Sequence, residues 1–444
     1  MSEALERIRS AIDARRDEAI ELLHELVRTR SVNPNYPGIS REEHIGGETR
    51  INEILAERYA QAGLETHWVA EDPERQNLVG VRAGGGGGRS LLLNGHIDTV
   101  PPAEADRWLC GSPWTAEIRD GRLYGLGSTD MKASAVSMWL AAQALEDTGT
   151  RLAGDLQLHS VVGEETAEYQ LGTLACVRAG FRADAAVVTE PTNPPRPLTI
   201  TPVSAGSCWL KVHVEGKPTH CGNRALAVRP GGPGNAIGVN ALEKAIKIVQ
   251  ALQELEQQWG HSKGHPYFPP GWFSIMPGIF HSDAGVPFPA FFPDKAELHW
   301  MLWYPPQEDD EDVMREIEEY VLAACALDTW LVEHPPQFEW LMRYPGMFTP
   351  WEHELPQTMA RAWEALTGEA LPPPGPQYPV NFGASMEGTW LEREGIPSIV
   401  FGPGDLRVAH ARDESVAIEE VFLAAKALAG CALDWCGSDQ REED

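Results

Sequence analysis

Basic residues are scarce in this sequence of 444 residues. Lysine and arginine together number 36, against 65 aspartates and glutamates, and the formal net charge at pH 7 is −29. Proteins that bind nucleic acids or anionic membranes neutralise phosphate groups with clustered lysine and arginine side chains. The composition therefore argues against both kinds of partner, and we expect neither a nucleic acid nor a membrane to be bound. The excess of acid favours solubility.

Long apolar runs and paired cysteines are also missing. No segment reaches the roughly 18 uncharged apolar residues that span a bilayer. The N-terminus begins a charged amphipathic helix without the apolar centre of a signal peptide. The seven cysteines are odd in number and scattered, which predicts reduced thiols and no cysteine-rich zinc site. Together these absences predict a globular protein of the cytoplasm.

The sequence does contain five separate segments in which a metal-ligating residue type follows a short apolar run. Four of these runs, at 90–93, 156–162, 185–188 and 398–401, are nearly continuous, as in strands that are buried on both faces of a parallel sheet. Sites in open α/β sheets collect at the carboxyl ends of the strands, so the ligand candidates are expected to meet at one edge. The candidates are His96, Asp130, Glu165, Glu190 and His410.

Two imidazoles and three carboxylates suit a pair of divalent ions, with one carboxylate bridging them and positions left open for water and substrate. Glu164, beside Glu165, can then act as general base. Asp98 can accept the proton of the second ring nitrogen of His96 and so fix its tautomer. Each residue alone has a structural alternative, and Asp130 in particular could cap the helix predicted over residues 131–140. Their coincidence at one edge favours a two-metal hydrolase.

The segments around these residues resemble the acetylornithine deacetylase and succinyl-diaminopimelate desuccinylase family of co-catalytic zinc peptidases. The similar segments are 95–101, 125–132, 163–166, 190–192 and 401–404, the last leading to His410. The resemblance runs from about residue 20 to the last helix. It implies that His96, Asp130 and Glu190 hold one ion, and that Asp130, Glu165 and His410 hold the other. Zinc is the expected ion, with cobalt or manganese as alternatives.

The middle of the chain has a different pattern, and its length of 444 residues also predicts two domains. Strand, helix, strand, strand, helix and strand are predicted at 206–216, 234–258, 272–280, 295–304, 308–327 and 337–343. This order describes a ferredoxin-like α+β layer over residues 201–344. Candidate ligands flank it, so it is predicted to be inserted into a mainly parallel α/β catalytic domain of residues 1–200 and 345–444. The resemblance implies that the insert acts as a lid and forms a homodimer. The tail from Ser438 to Asp444 is expected to fray.

The insert also carries candidate substrate contacts. His220 lies in a turn, 217–222, that resembles the family's turn whose histidine comes from the partner subunit and helps to bind the oxyanion. Taken alone, His220 could be an exposed turn residue. Asn235 and Arg224 are further candidates for substrate contacts, and a structural role at a helix N-terminus is an alternative for Asn235.

One departure from the family limits the substrate assignment. Amino-acid-specific members carry an arginine, able to pair with a substrate carboxylate, in the strand that corresponds to 297–306, and this strand has none. Met386 stands where many relatives place an acid. Arg224 or Arg229 could replace the missing cation, and the aromatic residues nearby could instead signal an apolar group or simply pack the insert.

The predicted function is hydrolysis of a C–N amide bond in a small N-acyl or amide substrate, by attack of a metal-bridging water that Glu164 activates. A carboxypeptidase or dipeptidase of the same family, or a carbamate or aryl-amine hydrolase, is the alternative. A non-catalytic metal-binding relative would have lost a ligand or the base, and the sequence shows no such loss.

Overall fold

The structure is a computed structural model, and it describes residues 3–192, 196–286, 288–383 and 385–438. The helices are α1 (Glu3–Ala14), α2 (Arg16–Arg28), α3 (Arg41–His44), α4 (Gly47–Gln61), α5 (Ala133–Asp147), α6 (Thr173–Arg178), α7 (Arg224–Val228), α8 (Ala241–Ser262), α9 (Asp310–Cys325), α10 (Thr329–Glu333), α11 (Glu354–Thr367), α12 (Glu387–Arg393) and α13 (Ile418–Cys436). The strands are β1 (Glu65–Asp72), β2 (Arg75–Arg82), β3 (Leu91–His96), β4 (Glu117–Arg119), β5 (Arg122–Tyr124), β6 (Leu156–Val161), β7 (Ala185–Pro191), β8 (Val203–Ser204), β9 (Gly206–Glu215), β10 (Ser274–Asp283), β11 (Lys295–Tyr304), β12 (Gln337–Tyr344), β13 (Met347–Phe348), β14 (Ser398–Gly402) and β15 (Ser415–Ala417).

The described chain divides into two compact units. One contains the residues up to Ser204 and those from Met347 onward, and the other contains Ala205–Gly346. The tail expected to fray begins at Ser438, which pairs with Leu152 in an isolated β-bridge, and residues 439–444 lie outside the described residues. Among the helices of the described ranges, none is long and apolar enough to cross a membrane.

The first unit is built on a six-stranded sheet in the order β1-β2-β6-β3-β7-β14. Strands β6, β3, β7 and β14 are parallel, whereas β2 is antiparallel to both β1 and β6. The four parallel strands are those that the continuous apolar runs predicted, which confirms the mainly parallel α/β fold. Their residues are buried on both faces because helices cover both sides of the sheet.

Alternation along the strands divides the apolar side chains between two cores. Leu91 and Leu93 of β3 pack in the larger core, to which α1, α2, α4, α5, α11 and α13 contribute. Leu92 points to the opposite face and packs with residues of α6 and α12. Helix α5 is buried along nearly its whole length, because its sequence is apolar on all sides. The sheet thereby holds the carboxyl ends of β3, β6 and β7 in fixed positions.

The second unit has the predicted ferredoxin-like order of elements. Its four strands form an antiparallel sheet in the order β10-β11-β9-β12, and α8 and α9 cover one face. Strand β9 alternates as expected, since Cys208, Leu210 and Val212 are buried, whereas Trp209 and Lys211 are half-buried on the other face. The short helices α7 and α10 were not predicted.

One predicted helix begins later than expected. The sequence indicated a helix from residue 234, but Gly234–Ala236 forms a single 3-10 turn and α8 begins at Ala241. Gly234 has a φ of 60°, which is incompatible with a right-handed helix. The side chain of Asn240 accepts the backbone N–H of Glu243 at 3.4 Å and caps α8 at its observed start.

Candidate metal centre

Two histidines approach the same carboxylate at the end of the parallel sheet. His96 is the last residue of β3, and its Nε2 lies 3.0 Å from Oδ1 of Asp130. Nε2 of His410 lies 3.3 Å from the other oxygen, Oδ2, of Asp130. Asp130 thus presents one oxygen to each imidazole, as a carboxylate that bridges two ions would.

The remaining three acids lie around this pair. Oε1 of Glu190 is 3.3 Å from Nε2 of His96, and Oε2 of Glu165 is 2.9 Å from Nε2 of His410. Oε2 of Glu164 is 3.9 Å from Nε2 of His96, and its Oε1 accepts the hydroxyl of Tyr169 at 2.7 Å. The structure therefore brings together all five predicted ligands and the predicted base.

Asp130 does not cap α5, contrary to the alternative that the sequence left open. It lies in an irregular turn, Ser128–Lys132, and α5 starts after it without a side-chain cap. The side chain of Asp130 is directed to the two histidines instead, because the turn has non-helical backbone angles at Asp130 and Met131.

Asp98 has a broader role than the predicted pairing with His96. Nδ1 of His96 is 3.0 Å from the backbone carbonyl of Asp98 but 3.6 Å from its carboxylate, so the carbonyl is the nearer acceptor. The carboxylate instead accepts the backbone N–H groups of Gly163, Glu164 and Glu165 at 3.0, 3.3 and 3.1 Å. Asp98 thereby fixes both the ring of His96 and the turn that carries Glu164 and Glu165.

Glu414, which was not predicted from the sequence, fixes the turn that carries Asp130. Its carboxylate is buried and accepts the backbone N–H groups of Gly127, Thr129 and Asp130 at 3.1, 2.8 and 3.0 Å. Burial and then the charge of Asp130 raise the pKa of Glu414 to about 8. Its partner Thr129 lies 285 residues earlier in the chain, so no local motif could have identified it.

Two further residues next to the predicted base were also missed. Tyr169 donates its hydroxyl to Glu164, as described above, and Asn33 donates to Oδ2 of Asp98 at 2.8 Å. Tyr169 follows Glu164 by five residues and could have been noted as a local polar partner. Asn33 is distant in sequence from Asp98 and carries no such signal.

The electrostatics of the cluster fit divalent cations. Donor atoms of His96, Asp130 and Glu165 lie within 4.8 Å of one another, and so do those of His96, Glu164 and Glu190. Burial and the charge of Asp130 raise the pKa of Glu165 to about 7 and also raise the pKa of Glu190. Buried carboxylates at such distances repel one another, and bound cations relieve both the repulsion and the loss of hydration.

The predicted substrate contacts lie in the second unit and are engaged within it. Nδ1 of the exposed His220 accepts the N–H of Gly222 at 3.0 Å. Asn235 contacts the hydroxyl of Thr329 at 3.4 Å. Arg224 pairs with Glu243 at 2.7 Å.

The loop in which Met386 occupies the expected position of an acid does contain an acid, one residue later. Met386 is buried in the apolar core beside α12, and its sulfur accepts the N–H of Gly388 at 3.0 Å. Glu387 is also buried, and the charges acting on it include His96 and Glu190. The loop therefore carries a buried acid directly after Met386.

Comparisons with known proteins place this geometry in a family. Peptidase family M20/M25/M40 matches residues 92–434. The N-formyl-4-amino-5-aminomethyl-2-methylpyrimidine deformylase of Halalkalibacterium halodurans is 33% identical over 358 residues, covering 78% of this chain and 79% of the relative. The acetylornithine deacetylase of Myxococcus xanthus is 29% identical over 401 residues, covering 85% of this chain and 91% of the relative. A dinuclear metal-binding peptidase of the M20 family from Bacillus subtilis has a TM-score of 0.66 at 14% identity, with 95% of this chain and 98% of that chain covered.

The fold and the cluster of candidate ligands define a metallohydrolase. The chain belongs to peptidase family M20/M25/M40, since the family match covers most of its length. This confirms the resemblance to acetylornithine deacetylases and succinyl-diaminopimelate desuccinylases. It also confirms the expectation of a metal-dependent hydrolase of C–N amide bonds, the bonds that the deformylase and deacylase relatives cleave.

Replacement of Glu414 should weaken metal binding without removing any of the five candidate ligands. In Glu414→Gln the amide keeps one acceptor oxygen but turns an NH₂ group toward backbone N–H donors, so the turn that carries Asp130 loosens. We expect the affinity for Zn²⁺ or Co²⁺ to fall by about 10-fold to 100-fold, as is typical when a partner of a ligand is lost. Titration calorimetry of the metal-depleted protein measures this change.

Glu419→Gln is the matched control, because Glu419 is exposed on α13 and pairs with Arg16 on the surface. Its metal affinity should equal that of the unaltered protein. A Glu414→Gln protein that is folded by circular dichroism and binds metal normally would contradict the role of Glu414.

Proposed function

We propose that this protein removes the formyl group from an N-formyl aminomethylpyrimidine and that it uses two divalent ions, with zinc as the expected metal. The substrate assignment rests on two positions at which a cation for a substrate carboxylate was expected. Arg224 is bound to Glu243, and strand β11 contains no arginine. An amino-acid substrate would therefore have no cation from these positions to bind its carboxylate.

The buried cations of the first unit are also committed to the fold. The guanidinium of Arg75 binds both oxygens of Glu48 at 2.6 Å. The ammonium group of Lys132 donates to the backbone carbonyls of Leu26 and Thr29 at 3.0 and 2.9 Å. The deformylase relative is named for a substrate without a carboxylate, and this agreement supports the proposal.

His96, Asp130 and Glu190 would hold one ion, and Asp130, Glu165 and His410 the other. When bound, such ions polarise the carbonyl of the amide and lower the pKa of water. Glu164 lies beside both sets and takes a proton from the attacking water, then delivers it to the leaving nitrogen. Tyr169 and the N–H bonds to Asp98 hold Glu164 in place for this transfer.

Substituting the neighbouring acids Glu164 and Glu165 one at a time should show which acts as the base and which as a metal ligand. Glu164→Gln removes the proton acceptor, so turnover should fall by about 10²-fold to 10⁴-fold while close to two ions per chain remain bound. Glu165→Gln should instead lose about one ion, because it removes a ligand and not the base. Elemental analysis and turnover on the same preparations distinguish them. Near-normal turnover by Glu164→Gln, or loss of metal from that variant, would overturn the assignment.

The substrate assignment is tested by comparing turnover of N-formyl-4-amino-5-aminomethyl-2-methylpyrimidine, N-acetylornithine and unsubstituted dipeptides by the zinc-loaded protein. We expect kcat/KM for the pyrimidine formamide to exceed the others by at least about 100-fold, since the carboxylates of the others would find no free cation at Arg224 or on β11. A preference for N-acetylornithine or a dipeptide would contradict the proposal and favour the deacetylase or dipeptidase alternative.

We also propose that His220 donates a hydrogen bond to the oxyanion. Its Nδ1 accepts the N–H of Gly222, so the neutral ring carries its proton on Nε2. That N–H is of the kind that stabilises a developing negative charge on the substrate oxygen. The resemblance of the turn 217–222 to that of the family supports this role.

A homodimer through the second unit belongs to the same proposal. Strand β10 is the edge of its sheet and exposes Ile279 and Phe280, and the following segment exposes Phe288 and Phe291. An exposed apolar edge strand favours pairing with a second copy. The segment is joined to the turn of His220, because Cys221 N–H donates to the carbonyl of Ala290 at 2.8 Å. Contact between two copies here would therefore involve the turn that carries His220.

Hybrid dimers test both parts of this proposal. His220→Ala should keep its metal and lower turnover by about 10²-fold to 10³-fold, the usual effect of losing one oxyanion donor. Mixing Glu164→Gln chains with His220→Ala chains should restore up to about a quarter of normal activity, because half of the dimers contain one intact combination. No recovery after confirmed subunit exchange would show that one chain completes the site. A fully active His220→Ala protein would exclude the catalytic role.

We place the protein in the cytoplasm as part of the proposal. The seven cysteines are unbridged, which fits a reducing compartment.

A further inference from the structure

One buried carboxyl group near the candidate ligands has no task in the chemistry described so far. Glu387 is the first residue of α12 and is only 1% exposed. Neither of its carboxylate oxygens has a hydrogen-bond partner among the described residues. A buried carboxyl group without partners is unfavourable for the fold. Glu387 is therefore a candidate for a group that acquires its partner when a substrate binds.

Helix α12 lies beside the strand that leads to the candidate metal centre. The helix packs against β7 and β14, and β7 carries Glu190 near its end. Charges acting on Glu387 come from His96 and Glu190, and Glu387 in turn acts on Glu164. The start of the helix is fixed by Met386, which is buried and accepts the N–H of Gly388.

Glu387 does not belong to the candidate ligand sets. Within the described ranges, the groups whose donor atoms lie within 4.8 Å of one another consist of His96 with Asp130 and Glu165, and of His96 with Glu164 and Glu190. Burial raises the pKa of Glu387 to about 8, against the charge of His96. Because Glu387 is buried, lacks a hydrogen-bond partner and stands outside both groups, it is suited to form hydrogen bonds with a bound molecule.

Aromatic rings accompany Glu387 on the side of the base. Trp390 follows it by three residues, which places both on one side of α12. The ring of Trp390 lies 5.8 Å from the ring of Tyr169, with an angle of 39° between the planes, and Tyr169 donates to Glu164. The ring pair thus links the side of α12 that carries Glu387 to the base, and two aromatic rings in this place suit a flat aromatic ligand.

We propose that Glu387 binds the amidine edge of an aminopyrimidine, the amine half of the proposed substrate. This inference rests on the proposed function. An aminopyrimidine presents an exocyclic N–H donor beside a ring nitrogen, and a carboxyl group pairs with this edge through two hydrogen bonds, whichever partner carries the proton. The amino group stands on the ring carbon next to the one that carries the formamide arm. A carboxyl group that binds this edge must therefore lie near the scissile bond, which agrees with the place of Glu387 on a helix that packs against the strand of Glu190.

The test compares two formamides on the zinc-loaded, full-length protein. One is the pyrimidine formamide, and the other is N-formylbenzylamine, which has the same arm on a flat ring without the amidine edge. In Glu387→Met, which removes the hydrogen-bonding group at similar length, the ratio of kcat/KM between the two should fall by about 10-fold to 100-fold. Glu387→Gln should recover a large part of the ratio, because its amide accepts from the amino group and donates to the ring nitrogen.

Glu392→Gln is the matched control on the same helix. Its carboxylate accepts the backbone N–H of Phe348 at 2.6 Å and has no part in the proposed site. Its substrate ratio should equal that of the unaltered protein. Metal content measured on every variant separates substrate binding from support of the metals.

Specific outcomes would overturn the inference. Three results for Glu387→Met would show that Glu387 does not bind the amidine edge. They are an unchanged ratio of kcat/KM between the two formamides, an equal decrease of kcat/KM for both, and loss of bound metal. If the unaltered protein prefers the pyrimidine formamide and the Glu387 variants keep that preference, the inference fails while the proposed function stands. If the unaltered protein does not hydrolyse the pyrimidine formamide, the proposed function fails and the inference fails with it.

Discussion

The mutual repulsion of carboxylates gathered at one edge of the parallel sheet is the constraint on which the rest of this site depends. Glu164, Glu165 and Glu190 converge there because β6 and β7 end beside β3, and the turn before α5 brings Asp130 to the same edge. Such a cluster is stable only when donors or cations neutralise it. Turns of fixed geometry supply backbone N–H groups that neutralise part of this negative charge. Divalent ions bound between the histidines would neutralise the rest.

The chain orders the turns at this edge with further acids rather than with basic side chains. Asp98 and Glu414 each accept three backbone N–H groups from a turn that carries a candidate ligand. A carboxylate can accept several such bonds at once, which a neutral side chain matches less well. The site can therefore be rigid although basic residues are scarce, because the N–H ends of oriented peptide dipoles provide the positive partial charge that the carboxylates need.

The sequence predicted the parallel strands and the convergence of the five candidate ligands, because each follows from a local pattern. Continuous apolar runs mark strands buried on both faces, and the ends of such strands meet by topology. Glu414 and Asn33 were not predicted, because their contacts join residues far apart in the chain and depend on the course of loops. The start of α8 was misjudged, because the apolar periodicity extends past a glycine with positive φ and only the cap at Asn240 marks the true beginning.

The three hydrogen bonds from residues 163–165 to Asp98 also determine when the turn that carries the proposed base becomes ordered. Because these bonds form within the first unit, the backbone of Glu164 and Glu165 loses its conformational freedom as the protein folds. The entropy cost of that ordering is then borne by the stability of the fold and not by the affinity for substrate. An enzyme arranged in this way meets each substrate with the proton acceptor already in position, so binding energy remains available for recognising the part of the molecule that distinguishes one amide from another.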